Sequence, residues 1–268
     1  MSRQFLFLIL LALPAALLAS CTPATTVPIG TIDFNRPGSK QQQTLLVFLP
    51  GIRDKAEIFA DKGFVSAVRG SGVEADMIGV EAHIDYYLKK EFLPRLKQDV
   101  IDPARRRGYR NIWLVGISLG GFGAIWYDIE HPGDVTGIVA FAPYLGEPEV
   151  IGEVAAAGGL PGWRPPENIE NDDQRKIWRG LKSYESRKRT LNRLYLGYGM
   201  EDKFAAACGM LAALLPPAQV FTTKGGHDWS SWRPMWDAIL KSKRLSQTAP
   251  ENGDFRGEVG HGAAFPPQ

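Results

Sequence analysis

Six short apolar segments alternate with helical segments between residues 44 and 243, and this alternation constrains the fold more than any other feature. Continuous apolar runs, such as the one from Thr44 to Leu49, suit strands that are covered on both faces. We predict strands at 44–49, 76–80, 111–116, 135–142, 193–198 and 218–222. We predict helices near 55–69, 87–107, 119–130, 203–214 and 229–242. The pattern predicts an α/β fold, a mostly parallel central sheet with helices on both faces.

Length and charge exclude some classes of protein. The chain has 268 residues, enough for one large domain or two small ones. A body of about 200 residues can bury a large core without disulfides or metals. The formal charge is +2, and we find no clustered basic face of the kind that nucleic-acid binding requires. We therefore expect no nucleic-acid partner, and the sequence does not indicate the oligomeric state.

The N-terminus is predicted to be a targeting segment outside the fold. Residues 1–20 carry one positive charge, at Arg3, followed by an apolar run from Phe5 to Leu18. This pattern is typical of a secretory signal peptide and not of a spanning helix. The segment ends Leu18-Ala19-Ser20-Cys21, which resembles a bacterial lipoprotein signal whose cysteine becomes the lipidated first residue. The resemblance implies export to a bacterial cell envelope and a membrane anchor at Cys21, with the outer membrane facing the periplasm as the favoured site.

Cysteine usage leaves one alternative to lipidation. The chain has two cysteines, Cys21 and Cys208. In an exported protein they could instead form a disulfide. Cys208 lies in an apolar helical stretch, where a buried free thiol that packs as a small apolar group is the default.

Three segments interrupt or flank the predicted domain at 44–243. Residues 21–43 are rich in Thr, Pro, Gly and Gln and are predicted to tether the domain to the lipid. Residues 244–268 are polar, rich in Gly and Pro, and are predicted to be a disordered tail. Residues 144–188 break the alternation and are too long for a plain connection, so we interpret them as a candidate cap over the functional site.

A serine between two glycines lies where the third strand passes into the next helix. The motif is Gly116-Ile117-Ser118-Leu119-Gly120. A sharp strand-to-helix turn would expose the Ser118 hydroxyl at the sheet edge, and small residues on both sides would let neighbouring backbone approach. Ser118 is therefore the candidate nucleophile.

A serine hydroxyl needs a base to take its proton. The other histidines are poorly placed: His83 precedes the motif, His131 lies in a helix-ending turn and His261 lies in the tail. His227 follows the sixth strand and is the candidate base.

The acid that orients the histidine should lie after the preceding strand. Asp202 has this position, and its neighbour Glu201 is the alternative. Asp228, next to the histidine, is expected to cap the following helix. Backbone N–H groups should stabilise the oxyanion, and we expect them from Leu119 and from Ile52 in the turn after the first strand.

The order Ser118, Asp202, His227, each after its own strand, resembles the α/β-hydrolase superfamily over about residues 44–243. The resemblance implies hydrolysis of small-molecule esters, thioesters or amides through an acyl-serine, without metal or organic cofactor. Many members have His-Gly at the oxyanion turn, whereas this chain has Pro50-Gly51, and it has no HGGG run.

Three hypotheses of function remain open at this stage. An anchored carboxylic-ester hydrolase is the first. An acyltransferase would use the same triad, with another nucleophile intercepting the acyl-enzyme. A non-catalytic envelope lipoprotein could retain the scaffold, because fold does not determine function.

Overall fold

The computed structural model describes residues 24–184 and 193–246. The predicted signal peptide, Cys21, residues 185–188 of the insertion and the tail after residue 246 lie outside the described residues.

A seven-stranded sheet forms the centre of the described chain. Its strands are β1 (Thr31–Asp33), β2 (Thr44–Leu49), β3 (Asp76–Val80), β4 (Asn111–Ile117), β5 (Gly137–Phe141), β6 (Leu194–Gly199) and β7 (Val220–Thr223). They lie in the order β1-β3-β2-β4-β5-β6-β7, and every pair except β1 with β3 is parallel. The predicted α/β fold with a mostly parallel sheet is confirmed.

Helices cover both faces of this sheet. They are α1 (Ile58–Asp61), α2 (Phe64–Ser71), α3 (Ile84–Leu88), α4 (Phe92–Arg95), α5 (Asp102–Arg106), α6 (Leu119–Glu130), α7 (Pro148–Ala156), α8 (Asp173–Tyr184), α9 (Ala205–Ala212) and α10 (Trp229–Lys241). The two faces have separate apolar cores. On one face α10 packs beside α2, because its apolar residues Trp232, Trp236 and Ile239 recur at helical spacing.

The inner strands explain why this sheet is stable. Every residue of β2, β4 and β5 is buried, which matches continuous apolar runs covered on both faces. The helix α6 is buried along most of its length and is apolar all round, so a second layer must cover its outer face.

The predicted insertion supplies that second layer. Its helix α8 packs on α6, where a Cβ at Gly180 would lie 2.5 Å from Ile129. The Tyr184 hydroxyl donates to Asp128 Oδ2 at 2.7 Å in the buried contact between these helices. The described part of the insertion thus completes the core beside α6, and a role as a cap over the site stays a prediction.

Residues 24–43 differ from the tether that we expected over 21–43. They include the edge strand β1, and both Ile29 and Phe34 are buried. The Ile29 N–H donates to Asp99 Oδ2 at 2.9 Å. The small and polar composition of this segment did not indicate that Ile29 and Phe34 would be buried. Most of the segment that we expected to be a tether therefore belongs to the domain. At the other end Leu245, assigned to the tail, is also buried.

The helix predicted at 87–107 is broken into pieces. It appears as α3, α4, a π-helical stretch at Leu96–Ile101 and α5. Lys90 has φ 57°, which ends α3. Pro103 has no N–H to donate to the residue four positions earlier, so the wider π turn before it accommodates the missing bond.

Candidate active site

The residues predicted to act together follow different parallel strands and meet at one edge of the sheet. Ser118 follows β4, Asp202 follows β6 and His227 follows β7, while Ile52 follows β2. The carboxyl ends of parallel strands lie at the same edge, which we call the carboxyl edge. The edge at the other ends of these strands is called the amino edge.

Ser118 has a strained backbone. Its φ of 53° and ψ of −111° are unusual for a residue with a side chain. Its N–H donates to the Phe141 carbonyl at 2.9 Å, and its own carbonyl accepts from the N–H groups of Phe122 and Tyr144 at 3.0 and 3.1 Å. These bonds to the neighbouring strand and helix hold the turn in place, the condition under which such strain persists.

The glycines around Ser118 are required by close backbone contacts. A Cβ at Gly116 would lie 2.2 Å from the Gly120 carbonyl oxygen, and a Cβ at Gly120 would lie 2.0 Å from the Leu49 carbonyl oxygen. No side chain fits at either position. The small residues expected beside the serine are therefore a steric consequence of the turn.

His227 and Asp202 form a hydrogen-bonded pair. Nδ1 of His227 lies 2.8 Å from Oδ2 and 3.0 Å from Oδ1 of Asp202. The Asp202 side chain is fully buried, while the His227 side chain keeps 19% of its surface exposed. The Phe204 N–H donates to Asp202 Oδ1 at 2.8 Å, which fixes the carboxylate against the ring. A buried carboxylate on Nδ1 leaves Nε2 as the ring nitrogen that can exchange a proton.

The two acidic candidates differ in burial and in their contact with His227. Glu201 is exposed, whereas Asp202 is buried against the imidazole. Asp228 accepts a hydrogen bond from the Ser231 N–H at 3.0 Å at the start of α10, so the expected helix cap is confirmed.

Two aromatic rings contact the imidazole of His227: Trp232, from the tryptophans that follow the histidine in the sequence, and Phe204, which the sequence analysis did not identify. Each of these rings meets the His227 ring edge to face, and in each pair the ring centroid lies 5.0 Å from the imidazole centroid. Tyr144 packs against Phe204, with ring centroids 5.7 Å apart, and we call these two rings the aromatic wall. The position of Phe204, two residues after Asp202, was a signal that could have indicated its place beside the pair.

Two backbone segments approach Ser118 where an oxyanion would form. Leu119 is the first residue of α6, so its N–H has no partner within the helix. The turn after β2 lies next to the serine, and a Cβ at Gly51 would be 3.8 Å from Ser118 Cβ. Ile52 follows in this turn with 53% of its surface exposed.

Asp54 is a further acidic group in this turn that the sequence reasoning missed. Its N–H donates to the Gly51 carbonyl at 3.1 Å, and its carboxylate lies 3.2 Å from where a Gly51 Cβ would be. Burial raises the pKa of Asp54, and the nearby charge of Lys62 opposes this rise in part. A partly buried carboxyl group therefore lies in the turn that approaches Ser118.

Within the parts of the chain that the structure describes, no hydrogen bond joins the Ser118 hydroxyl to His227, and no group of His, Cys, Asp and Glu side chains is arranged to hold a metal ion. Catalytic hydrogen bonds are often long before substrate binds. Cys208 is a buried free thiol, as expected, and burial raises its pKa.

A protein-family model described as "Putative esterase" matches residues 79–242, more than half of the chain. The chain belongs to this esterase family. The match includes Ser118, Asp202 and His227 and ends one residue after α10. No curated protein matches the chain.

Solved structures agree with the family in fold. The S-formylglutathione hydrolase FrmB from Staphylococcus aureus aligns with a TM-score of 0.54 at 10% identity, over 82% of this chain and 96% of that chain. Est1E from Butyrivibrio proteoclasticus aligns with a TM-score of 0.53 at 14% identity, over 80% and 91% of the two chains. A ferulic acid esterase aligns with a TM-score of 0.51 at 18% identity, over 78% and 87%. At these identities the likeness establishes the α/β-hydrolase fold.

Family and fold together make the chain a hydrolase of the serine esterase type. None of the helices among the described residues is long and apolar enough to cross a membrane.

Proposed function

We propose that this esterase cleaves small-molecule carboxylic esters or thioesters through an acyl-enzyme on Ser118, with His227 as base and Asp202 as the acid that orients it. One observation carries the proposal. A buried Asp202–His227 pair, at 2.8 Å, lies at the same sheet edge as a serine held in a strained turn. A scaffold without catalysis would have no need to retain either the strain or the buried carboxylate.

In the acylation step the Ser118 oxygen attacks the ester carbonyl carbon while His227 Nε2 takes the hydroxyl proton. The Nδ1–H bond to Asp202 holds the ring in the required tautomer and stabilises the imidazolium that forms. The carbonyl becomes a tetrahedral oxyanion, and collapse of this intermediate breaks the bond to the leaving group. His227 returns its proton to the departing alcohol or thiol.

In the deacylation step water replaces the serine as the nucleophile. His227 takes a proton from water, which attacks the acyl carbon, and the second tetrahedral intermediate releases a carboxylic acid and the free Ser118 hydroxyl. Backbone N–H groups of Leu119 and Ile52 would donate to both oxyanions. Such preorganised donors usually supply the largest single share of rate enhancement in acyl transfer.

The aromatic wall beside His227 favours a bulky or planar acyl group. Phe204 meets the imidazole edge to face and Tyr144 packs against Phe204, so that both rings offer apolar surface to a substrate. The similar fold of Est1E has been solved with ferulic acid bound.

The test is hydrolysis of p-nitrophenyl acetate and butyrate by the wild type, by Ser118→Ala and by Ser66→Ala. Ser66 is an exposed serine in α2 and serves as the matched control. We expect Ser118→Ala to lose about 10³-fold or more in kcat/KM, because the nucleophile is removed. We expect Ser66→Ala to keep the wild-type rate.

Full turnover by Ser118→Ala would contradict the proposal. A fluorophosphonate probe gives a second readout that does not depend on the choice of ester. It should add its mass to the peptide that contains Ser118 in the wild type and not in Ser118→Ala.

We also propose that the chain is a bacterial envelope lipoprotein anchored through lipid on Cys21, with the outer membrane facing the periplasm as its favoured location. The support is the tetrad at residues 18–21 directly after an apolar run. The buried position of Cys208 supports this assignment over a Cys21–Cys208 disulfide.

A further inference from the structure

The described chain enters the domain at the carboxyl edge, beside the candidate active site. β1 runs antiparallel to β3, with Thr31 opposite Val80, so β1 begins where β3 ends. Just before it, the Thr26 N–H donates to the Tyr86 hydroxyl at 2.8 Å. The backbone of Ala24 lies within hydrogen-bonding reach of the His83 ring. Residues 24–26 are therefore fixed against the loop and helix that follow β3.

This docking leaves very little chain between the domain and Cys21. Two residues, Thr22 and Pro23, separate Cys21 from Ala24, and the three residue steps from Cys21 to Ala24 can span at most about 11 Å when fully extended. A free tether over residues 21–43 would have allowed several times that reach. A lipid on Cys21 thus keeps the membrane surface within a short distance of the carboxyl edge.

The exposed apolar side chains lie at the same edge. Among the described residues, the large apolar side chains that are more than half exposed are Val27, Ile52, Leu88 and Met200, at 75%, 53%, 72% and 59%. Val27 precedes β1, and the others follow β2, β3 and β6. Each alone would be ordinary for a protein surface. Among the described residues, all four lie at the carboxyl edge and none lies at the amino edge. A surface exposed to water on all sides would not be expected to concentrate them at one edge.

We propose that the carboxyl edge, with the mouth of the active site, rests on the phospholipid bilayer, and that these four apolar side chains enter its interface. The proposal rests on the lipid anchor proposed above. The structure adds which face of the domain the anchor presents to the membrane. Esters dissolved in the bilayer would then reach Ser118 without crossing the bulk solvent.

A lipid surface fits this edge better than a protein partner does. The four side chains lie on four separate segments of the chain. A bilayer interface requires only that they reach a similar depth. The two cations that follow Leu88 both have an acidic neighbour. Lys89 Nζ lies 3.0 Å from Asp85 Oδ2, and Lys90 Nζ lies 3.9 Å from Asp173 Oδ2. Contact through apolar side chains should therefore be insensitive to salt.

The experiment uses the full chain, exported and processed by cells, purified and reconstituted into phosphatidylcholine vesicles. Leu88→Cys and Ala213→Cys variants are labelled with an environment-sensitive maleimide. Ala213 is exposed at the end of α9, which runs from the carboxyl edge toward the amino edge, and serves as the matched control. The buried Cys208 should react poorly, and the unsubstituted chain measures that background.

We expect lipids with a nitroxide near the headgroup to quench the label at position 88 several-fold more strongly than the label at position 213, at low and high salt alike. Equal quenching, or stronger quenching at position 213, would overturn the proposal. Cys21→Ser in both labelled chains should abolish vesicle binding. If the chain with Cys21 fails to bind the vesicles, the result would contradict both the proposed lipid anchor and the proposed orientation on the membrane. Turnover of a soluble ester, measured in the same samples, reports on the catalytic proposal independently.

Discussion

The two edges of the sheet are built from the same strands, but they differ in where strained backbone and hydrogen-bonded polar groups occur. At the carboxyl edge two residues with side chains have positive φ at the ends of neighbouring strands, Ser118 after β4 at 53° and Ala142 after β5 at 41°. Glycines allow backbone contacts there that no side chain would tolerate, and a Cβ at Gly199 would lie 2.2 Å from the Gly225 carbonyl.

At the amino edge several polar groups are paired by hydrogen bonds. Lys243 there also has a positive φ, of 55°, but it follows helix α10 and not a strand. The Tyr109 hydroxyl donates to Asp76 Oδ2 at 2.7 Å, and the buried Gln219 amide donates to the Leu194 carbonyl at 2.8 Å. Arg105 donates to three backbone carbonyls, those of Tyr109, Arg110 and Asp134. The comparison shows paired polar groups at one edge of the sheet and, at the other, the strained turn that carries the candidate nucleophile.

The largest expected effect removes the oriented carboxylate from the carboxyl edge. Asp202→Asn should lower kcat by about 10⁴-fold, because an amide can hold the imidazole in the wrong tautomer. Glu201→Gln changes the exposed neighbour in the same way and should leave kcat unchanged. Steady-state ester hydrolysis checks both, with circular dichroism to show that both variants are folded. A comparable loss in Glu201→Gln would contradict the assignment.

A smaller effect, on stability, comes from adding one methyl group to the strained turn. Gly120→Ala places a Cβ 2.0 Å from the Leu49 carbonyl oxygen and should lower the free energy of unfolding by at least about 2 kcal/mol. Gly70→Ala, at a position with nothing within 4 Å of the new Cβ, is the control and should be neutral or slightly stabilising. Urea denaturation measures both. Equal midpoints would show that the turn is not as tightly packed as described.

The smallest expected effect probes the amino edge. Tyr109→Phe should cost about 1 kcal/mol in the free energy of unfolding near neutral pH, because Asp76 loses a donor, and kcat should not change. Burial, together with the bond to Asp76, raises the pKa of Tyr109 from 10.0 to about 12. The unfolded chain therefore loses this proton first, and the wild type loses stability as pH rises from 10 toward 12.

The advantage of the wild type over Tyr109→Phe should accordingly shrink across that pH window. Denaturation curves at pH 8 and at pH 10.5 test this directly. An advantage that grows with pH would show that the hydroxyl is not held protonated at the amino edge.

The inner strands and the turn at Ser118 were predictable from sequence, because local patterns determine them. The strands predicted at 44–49 and 76–80 have the predicted bounds, and the helix predicted at 119–130 is α6. Continuous apolar runs and glycine spacing are local signals, and burial on both faces reinforces them. The position of the candidate acid, after β6, and the preference for Asp202 over Glu201 followed from the same reasoning. The structure adds that Asp202 is buried and Glu201 exposed.

The features that escaped sequence reasoning depend on contacts between distant residues. β1 forms because its three residues pair with β3, and the Thr- and Pro-rich composition of this segment does not predict a strand. Phe204, just before α9, meets the His227 ring only once the ends of β6 and β7 lie side by side. The use of the insertion to cover α6 likewise required the Tyr184 contact with Asp128 across the folded chain. Tertiary packing, which local propensity does not encode, decided all three.

The docked segment at residues 24–26 also affects which substrate concentration would determine the reaction rate. With lipid on Cys21, the domain samples a thin layer and not a volume, so encounters with a membrane-dissolved ester depend on the number of ester molecules per unit area. Adding inert phospholipid at constant total ester would dilute that surface and slow turnover. An enzyme freed from the layer would respond only to the concentration in solution.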